Sequence, residues 1–290
     1  MKALTFYDVQ DLRYEEVADP AIEKDDDVIV KVKAVGICGS DIARYRNLGP
    51  YVKGNVWGHE FSGEVVQTGP AVTELKAGDR VVGCPNLVCH ECRYCKSGHP
   101  SRCESLNTIG AYVPGAFAEY IKMPAVNLVK MAESMTYEQG ALVEPATVAI
   151  HGLYQTNIKM GYEVAVVGCG NIGLMAIRWA KAFGAKKVFA IDIDDAQLEI
   201  ARKFGADVLI NSTNIDFHDE IRKYGNGVDL AIESAGNPFT AARVLGLPKK
   251  GGEVVYMGIP YADVPVPRFY FERIMRNELT IIGSWCTISA

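Results

Sequence analysis

Four of the chain's eight cysteines fall within fifteen residues, at Cys89, Cys92, Cys95 and Cys103. Two Cys-x-x-Cys steps share the middle sulfur, and the fourth cysteine follows after seven intervening residues. Thiolates at this spacing can converge on one tetrahedral Zn²⁺ at about 2.3 Å each, and four of them leave no open coordination position. We therefore predict a structural zinc site in a polar lobe over residues 85–107, where metal binding replaces a hydrophobic core.

A second set of metal-binding residue types is more widely spaced. Cys38 is followed after twenty intervening residues by the adjacent pair His59-Glu60. Thiolate, imidazole and carboxylate are all zinc ligands, and three of them would leave a position open for catalysis. The spacing alone leaves open the alternative that Gly58-His59-Glu60 is an incidental tripeptide.

A glycine-rich turn in the second half predicts dinucleotide binding. Its sequence is Gly168-Cys169-Gly170-Asn171-Ile172-Gly173. Gly168 would permit the tight turn, Gly170 would let the backbone approach a pyrophosphate, and Gly173 would let the following helix pack close to the strand. That helix begins at Asn171 and Ile172, where free N–H groups and a partial positive charge favour phosphates.

Asp192 lies nineteen residues after Gly173, at the end of the next predicted strand. A carboxylate there would accept hydrogen bonds from the adenosine ribose and repel a 2′-phosphate, which favours NAD over NADP. The alternative is an ordinary strand-to-helix turn followed by an exposed aspartate.

The second half alternates predicted strands and helices. Helical spacing runs from Asn171 to Phe183 and from Asp195 to Phe204, and a glycine follows each segment. Six apolar runs predict strands, at 163–168, 187–192, 208–210, 228–233, 253–258 and 279–283. Alternation of this kind predicts a parallel doubly wound sheet. The first half instead predicts short strands over 28–35, 61–67 and 79–83.

Composition sets further bounds. A length of 290 residues suggests two domains. The net charge of −5, without a block of lysine or arginine, argues against nucleic acid as a partner. The first apolar run stops at Asp8, too early for a signal peptide, and no run of about eighteen apolar residues predicts a membrane span. We therefore expect a cytoplasmic protein with reduced thiolates.

Several segments occur in the order found in one family. They are Gly36-Ile-Cys-Gly-Ser-Asp41, Gly58-His-Glu-Phe-Ser-Gly63, Gly78-Asp-Arg-Val81, the four-cysteine lobe, Gly115-Ala-Phe-Ala-Glu-Tyr120, Glu144-Pro145 and the Gly168–Gly173 turn. With them the chain resembles the zinc-containing medium-chain dehydrogenases over essentially its whole length. Within that family it looks most like the sorbitol dehydrogenase and galactitol-1-phosphate 5-dehydrogenase branch.

The resemblance implies an α/β fold, with a GroES-like β-barrel catalytic domain over residues 1–155 and a Rossmann NAD-binding domain over 156–290. It implies that Cys38, His59 and Glu60 bind a catalytic zinc, with Glu144 as a fourth ligand, either direct or through water. It also implies a homodimer or homotetramer.

Two departures from the family pattern bear on activity. Where many family members carry a proton-relaying histidine, this chain has Ala43. Family chains also continue past Ala290 and return to the catalytic domain, and we would expect a chain without that return to be impaired.

The resemblance implies NAD-linked oxidation of a secondary alcohol of a polyol or polyol phosphate to the ketose. Ser40, two residues from Cys38, is a candidate to take the hydroxyl proton, although it could simply be a turn hydroxyl. Arg44, Arg46 and Lys53 could hold a substrate phosphate or could form a solvated loop face.

Three alternatives compete with this prediction. One is a sorbitol, threonine or simple alcohol dehydrogenase of the same family. Another is a non-catalytic, zinc-stabilised dinucleotide-binding protein, which would hold one zinc ion instead of two. A zinc-free NADPH quinone reductase disagrees with Asp192 and with the cysteines.

Overall fold

The computed structural model describes residues 1–286 and divides into two compact units. The first comprises Met1–Glu144 together with Cys286, and the second comprises Pro145–Trp285. Among residues 1–286, no helix is both long enough and apolar enough to cross a membrane.

Unit 1 is built mainly from short strands in three sheets. The strands are β1 (Lys2–Asp8), β2 (Asp11–Glu16), β3 (Asp27–Gly36), β4 (Asn55–Val56), β5 (Glu60–Thr68), β6 (Arg80–Gly83), β7 (Asn86–Leu87), β8 (Asn107–Thr108), β9 (Tyr120–Pro124) and β10 (Leu128–Lys130). The largest sheet has the order β10-β6-β5-β3-β9, a second has the order β2-β1-β4, and β7 pairs with β8.

The core of unit 1 follows from alternation along β3 and β5. Val28 and Val30 are fully buried, whereas Lys31 and Lys33 are exposed on the opposite face of β3. Phe61 packs in the same core, from the antiparallel neighbour β5.

Helical segments in unit 1 are short. They are α1 (Gly39–Ala43), a π-helical turn (Arg44–Leu48), α2 (Arg93–Lys96), α3 (Tyr137–Ala141) and 3₁₀ turns at Pro100–Arg102 and Ala125–Asn127. The next helix, α4 (Val143–Tyr154), contains the boundary between the two units.

Unit 2 is a six-stranded parallel sheet with the order β13-β12-β11-β14-β15-β16. The strands are β11 (Glu163–Val167), β12 (Lys187–Asp192), β13 (Val208–Asn211), β14 (Val228–Glu233), β15 (Pro248–Tyr256) and β16 (Thr280–Gly283). This order confirms the predicted doubly wound fold. The strand order reverses between β11 and β14, so their carboxyl ends flank the crevice in which such sheets bind ligands.

Helices cover the sheet of unit 2. They are α5 (Asn171–Ala182), α6 (Asp195–Phe204), α7 (Phe217–Arg222), α8 (Pro238–Arg243) and α9 (Arg268–Arg276), with a 3₁₀ turn at Val244–Gly246. One face of α5 is buried, and it includes Ala176, Ile177 and Ala180. Gly205 adopts a left-handed conformation, with φ of 113°, and ends α6.

Candidate functional site

Strand pairing brings three metal-binding side chains together in unit 1. Cys38 follows β3 and precedes α1, while His59 and Glu60 stand at the beginning of β5. Because Gly36 pairs with Glu60 in the antiparallel register, the end of β3 meets the beginning of β5. One ligand atom from each of Cys38, His59 and Glu60 lies within 4.8 Å of the other two.

These three donors suit zinc by their chemistry and their burial. A thiol, an imidazole and a carboxylate are typical zinc ligands. Glu60 is only 2 % exposed. Burial raises the pKa of Glu60 above its ordinary value, and burial together with the Glu60 charge raises that of Cys38 to about 12. A bound cation would offset this unfavourable placement of two acidic groups.

Asp41 lies beside two of the three donors, Cys38 and His59, a placement that the sequence reasoning missed. Its carboxylate is 7 % exposed and accepts a hydrogen bond from the Cys38 backbone N–H at 2.9 Å. One of its oxygens also lies 3.9 Å from Nδ1 of His59. A carboxylate behind a ligand histidine orients the ring and raises its basicity. The signal in the sequence was an acidic residue three positions after the cysteine.

Ser40 and Glu144 border the same cluster. The Ser40 hydroxyl forms a hydrogen bond with Cys38 that opposes the rise in the pKa of that thiol. Glu144, in α4, is not part of the set within 4.8 Å. Burial raises the pKa of Glu144 to about 7, and His59 opposes that rise.

The four-cysteine lobe has the dimensions of a zinc site. The Sγ–Sγ distances are 3.9 Å for Cys89–Cys95, 3.6 Å for Cys92–Cys95 and 3.5 Å for Cys103–Cys89. A tetrahedral zinc with bonds of about 2.3 Å places its sulfurs about 3.8 Å apart. A disulfide would require about 2.05 Å, so these thiols are not paired covalently.

Backbone donors around the lobe favour the thiolate at some of its cysteines. The N–H of Cys89 donates to Cys103 Sγ at 3.4 Å, and the N–H of Cys92 donates to Cys89 Sγ at 3.3 Å. Hydrogen bonds from the backbone of Cys95 and Glu104 lower the pKa of Cys92 to about 6. Burial and hydrogen bonds with the neighbouring cysteines instead raise the pKa of Cys95 to about 12. Zinc binds deprotonated sulfur, and a bound cation would favour the thiolate at all four positions.

The glycine-rich turn joins β11 to α5 in unit 2. Gly168 has a φ of 92°, a conformation that other residues rarely adopt. Gly173 packs directly against the Gly168 carbonyl, where any Cβ atom would overlap it. A Cβ atom at Gly170 would meet nothing within 4 Å, so this backbone is open to a ligand.

The beginning of α5 is suited to a phosphate. Asn171 and Ile172 form the first helical turn, and Gly170 has no side chain that could cap it. Free N–H groups at a helix N-terminus attract anions. The residues of the turn therefore fit a dinucleotide pyrophosphate.

Asp192 ends β12 and connects two loops. One carboxylate oxygen accepts the N–H of Cys169 at 2.6 Å, and the other accepts those of Ile193 at 2.7 Å and Asp194 at 3.0 Å. The carboxylate therefore lies directly beside the glycine-rich turn. Residues 193–195 are Ile-Asp-Asp, with no cation to pair with a 2′-phosphate.

The three candidate phosphate ligands have different surroundings. Arg44 stacks over the Tyr51 ring at 3.3 Å from its centroid and donates to the Gly49 carbonyl at 3.0 Å. Lys53 forms an ion pair with Asp8. Arg46 is exposed in the π-helical turn. Two of these cations therefore already have partners within unit 1.

Unit 1 contains a Cys/His/Glu donor set and a four-cysteine lobe, and unit 2 contains a Rossmann-type sheet. This combination is typical of zinc-type dehydrogenases. Family models match both parts of the chain: the alcohol dehydrogenase GroES-like domain over residues 24–133 and the zinc-binding dehydrogenase domain over 171–289. The chain belongs to this family of zinc-binding alcohol dehydrogenases.

Named relatives include both polyol dehydrogenases and L-threonine 3-dehydrogenases. The chain is 39 % identical to sorbitol dehydrogenase of Bacillus subtilis, with 98 % of this chain and 81 % of the relative covered. It is 35 % identical to galactitol 1-phosphate 5-dehydrogenase of Escherichia coli, with 96 % and 81 % covered. The crystal structure of galactitol-1-phosphate dehydrogenase from Escherichia coli matches with a TM-score of 0.94 at 34 % identity, covering 100 % of this chain and 84 % of that one. These matches confirm the predicted family and its dehydrogenase class.

Proposed function

We propose that this chain catalyses the NAD-linked oxidation of a secondary alcohol of a polyol or polyol phosphate to the ketose. The observation that carries the proposal is the convergence of Cys38, His59 and Glu60 within 4.8 Å. Three donors leave a metal position open for a substrate oxygen, whereas the four-cysteine lobe leaves none.

In this proposal Cys38, His59 and Glu60 hold the catalytic zinc, with Glu144 as a direct or water-mediated fourth ligand. When bound there, zinc supplies Lewis acidity that makes an alcohol hydroxyl more acidic. Asp41 orients His59 from behind. Ser40, whose hydroxyl adjoins Cys38, accepts the proton that the substrate hydroxyl loses.

Unit 2 provides the cofactor site in this proposal. The first turn of α5 at Asn171 and Ile172 holds the pyrophosphate, and the open backbone at Gly170 allows its close approach. Asp192 accepts hydrogen bonds from the adenosine ribose, which selects NAD over NADP. A nicotinamide cofactor held by these residues would supply the hydride acceptor that oxidation of the alcohol requires.

The phosphate group of the substrate is the finer part of the proposal. Arg46 is the exposed cation of the three candidates, while Arg44 and Lys53 would have to exchange their present partners for a phosphate. The identity to sorbitol dehydrogenase, 39 %, supports a free polyol as the second candidate substrate.

NADH formation at 340 nm, with matched pairs of polyols and polyol phosphates, tests the proposal on protein of known zinc content. We expect turnover with at least one polyol or its phosphate. Turnover only with phosphorylated substrates that is lost in Arg46→Ala would assign the phosphate to this loop. Turnover only with threonine or simple alcohols would contradict the polyol assignment. Failure on every alcohol, with a single zinc per chain, would favour the non-catalytic binding protein.

Two further proposals concern the oligomeric state and the cellular location of the protein. We infer a homodimer or homotetramer, which sedimentation velocity tests directly. A cytoplasmic location follows from the proposed zinc-bound thiolates, since these need a reducing compartment.

A further inference from the structure

Glu233 is a buried acidic residue outside the proposed metal site. It is the last residue of β14 and is 0 % exposed. In the parallel register it pairs with Val167, the last residue of β11 before the glycine-rich turn. A carboxylate therefore lies inside the protein at the point where the strand order of the sheet reverses.

The side chain of Glu233 closes the loop that follows it. One carboxylate oxygen accepts the N–H groups of Ala235 and Gly236, both at 3.2 Å, and the hydroxyl of Thr240 at 2.8 Å. Gly236 has a φ of 62°, so the chain turns sharply around the carboxylate. Burial raises the pKa of Glu233, and these hydrogen bonds oppose the rise. The carboxylate thus fixes the path of residues 234–237.

This loop packs directly against the dinucleotide turn. The Ser234 hydroxyl donates to the carbonyls of Val167 at 3.1 Å and Gly168 at 2.9 Å. A Cβ atom at Gly168 would lie 2.7 Å from the Ala235 nitrogen, and one at Gly173 would lie 2.8 Å from the Ser234 hydroxyl. A shift of the loop would therefore displace the backbone that faces the pyrophosphate.

The other side of the carboxylate is equally confined. The Glu233 carbonyl accepts the N–H groups of Met257 at 2.8 Å and Gly258 at 3.0 Å. A Cβ atom at Gly258 would lie 2.5 Å from the second carboxylate oxygen. Since the segments on both sides leave no room, Glu233 cannot reorient without moving one of them.

We propose that Glu233 is a positioning residue for the cofactor, acting through the loop 234–237 on the Gly168–Gly173 turn. This inference rests on the proposed binding of NAD at that turn. An amide at this position would keep one acceptor oxygen, but it would lose the negative charge. Its NH2 group would replace the second oxygen, which accepts the Gly236 N–H at 3.3 Å, so a donor would face a donor there. The loop would relax away from the turn, and the dinucleotide would bind less tightly.

The test is the dissociation constant of NADH, measured by fluorescence titration of the full-length zinc-loaded chain without alcohol. We expect Glu233→Gln to weaken NADH binding by about tenfold, the loss expected when a buried hydrogen-bond set loses its charge and one of its acceptors. Thr240→Val removes one donor to the carboxylate and should weaken binding less. Glu233→Asp keeps the charge and should restore part of the affinity that Glu233→Gln loses.

Glu253→Gln is the matched control. Glu253 is also buried, at 5 % exposure, and accepts hydrogen bonds from the backbone and side chain of Asn157 at 2.9 and 2.6 Å. It lies in β15, away from the carboxyl ends of the strands where the glycine-rich turn stands. Its replacement should lower the melting temperature and leave the NADH dissociation constant unchanged.

Two results would overturn the proposal. One is a Glu233→Gln protein that melts earlier, as Glu253→Gln does, yet binds NADH as tightly as the unmodified chain. The second result concerns the case in which Glu233→Gln does not fold. In that case, an unchanged NADH dissociation constant in Thr240→Val would exclude a positioning role for Glu233. Failure of the proposed function is separate, because it would show as tight NADH binding without turnover on any alcohol.

Discussion

The position of Cys38 depends on its backbone contacts as well as on its side chain. The cysteine precedes a short helix, and Asp41 in that helix accepts its backbone N–H. The same carboxylate lies 3.9 Å from Nδ1 of His59, the residue just before β5. One buried acid therefore lies beside two of the three proposed ligands, and in the proposed site it would help to fix their positions.

Ser40 offers a test at the scale of one hydroxyl. We expect Ser40→Ala to lower kcat by about 10²-fold, the contribution typical of a positioned proton acceptor. The KM for NAD should not change, because unit 2 carries the proposed cofactor residues. Steady-state kinetics with the best polyol measure both values.

Ser40→Thr is the control for this prediction, since it retains a hydroxyl at the same position. It should keep most of the activity that Ser40→Ala loses. If Ser40→Ala turns over at the unmodified rate, Ser40 is only a turn hydroxyl that contacts Cys38.

The bounds of the strands and helices in unit 2 were predicted well from the sequence, because the strands there are continuous apolar runs that are buried over most of their length. The predicted strands 187–192 and 228–233 and the helix 195–204 have the same bounds in the structure. β15 begins at Pro248, five residues before the predicted strand, because its first residues are partly exposed and include two lysines.

Other elements were not predicted individually from the sequence. The π-helical turn Arg44–Leu48 depends on distant contacts, among them the Gln10 N–H donating to the Tyr45 carbonyl at 2.8 Å. Helix α9 has no fully buried residue, but Tyr270 and Ile274 are half-buried on one face and pack against the core of unit 2. The buried acids Asp41 and Glu233 were likewise missed, because burial of a carboxylate depends on partners that only the fold brings near.

The contact between α7 and α8 predicts how acid affects unit 2. Asp216 caps α7 by accepting the His218 N–H at 2.8 Å, and it pairs with Arg243 of α8 at 2.6 Å. Burial alone would raise the pKa of Asp216, but these hydrogen bonds lower it from 3.8 to about 2. As the pH falls, Asp216 is therefore protonated in the unfolded chain before it is protonated in the folded protein. The contribution of its ionised carboxylate to the free energy of unfolding is complete above pH 3.8 and disappears as the pH falls to about 2.

Asp216→Asn should therefore destabilise the protein near neutral pH and not near pH 2. Asparagine still caps a helix, so the substitution removes mainly the charge. Because the side chain is 42 % exposed, solvent screening reduces the effect to about 1 kcal/mol. Melting curves between pH 7 and pH 2 measure the difference, which should shrink only below pH 4. Asp219→Asn, in an exposed pair with Arg222, is the control, and an equal pH dependence there would contradict the assignment.

In the whole molecule, the proposed tasks are assigned to separate parts of the chain. Both donor sets lie in residues 1–144, and the glycine-rich turn with Asp192 lies in residues 145–285. The four-cysteine lobe and the three-donor set share no residue. Each donor set and the glycine-rich turn can therefore be altered by substitution without changing residues of the other two sites. Substitutions can thus distinguish an enzyme from a non-catalytic dinucleotide-binding protein.

Cys38→Ser makes that separation. We expect it to abolish NADH formation, to lower the zinc content from two ions per chain to one, and to leave the NADH dissociation constant unchanged, because a serine hydroxyl is a poor replacement for a thiolate ligand. Elemental analysis and fluorescence titration measure the last two quantities independently of turnover. Cys169→Ser is the control, since Cys169 is a buried cysteine outside both donor sets and should keep both zinc ions. Retained turnover in Cys38→Ser would contradict the three-donor site as the place of catalysis, even if the zinc content fell.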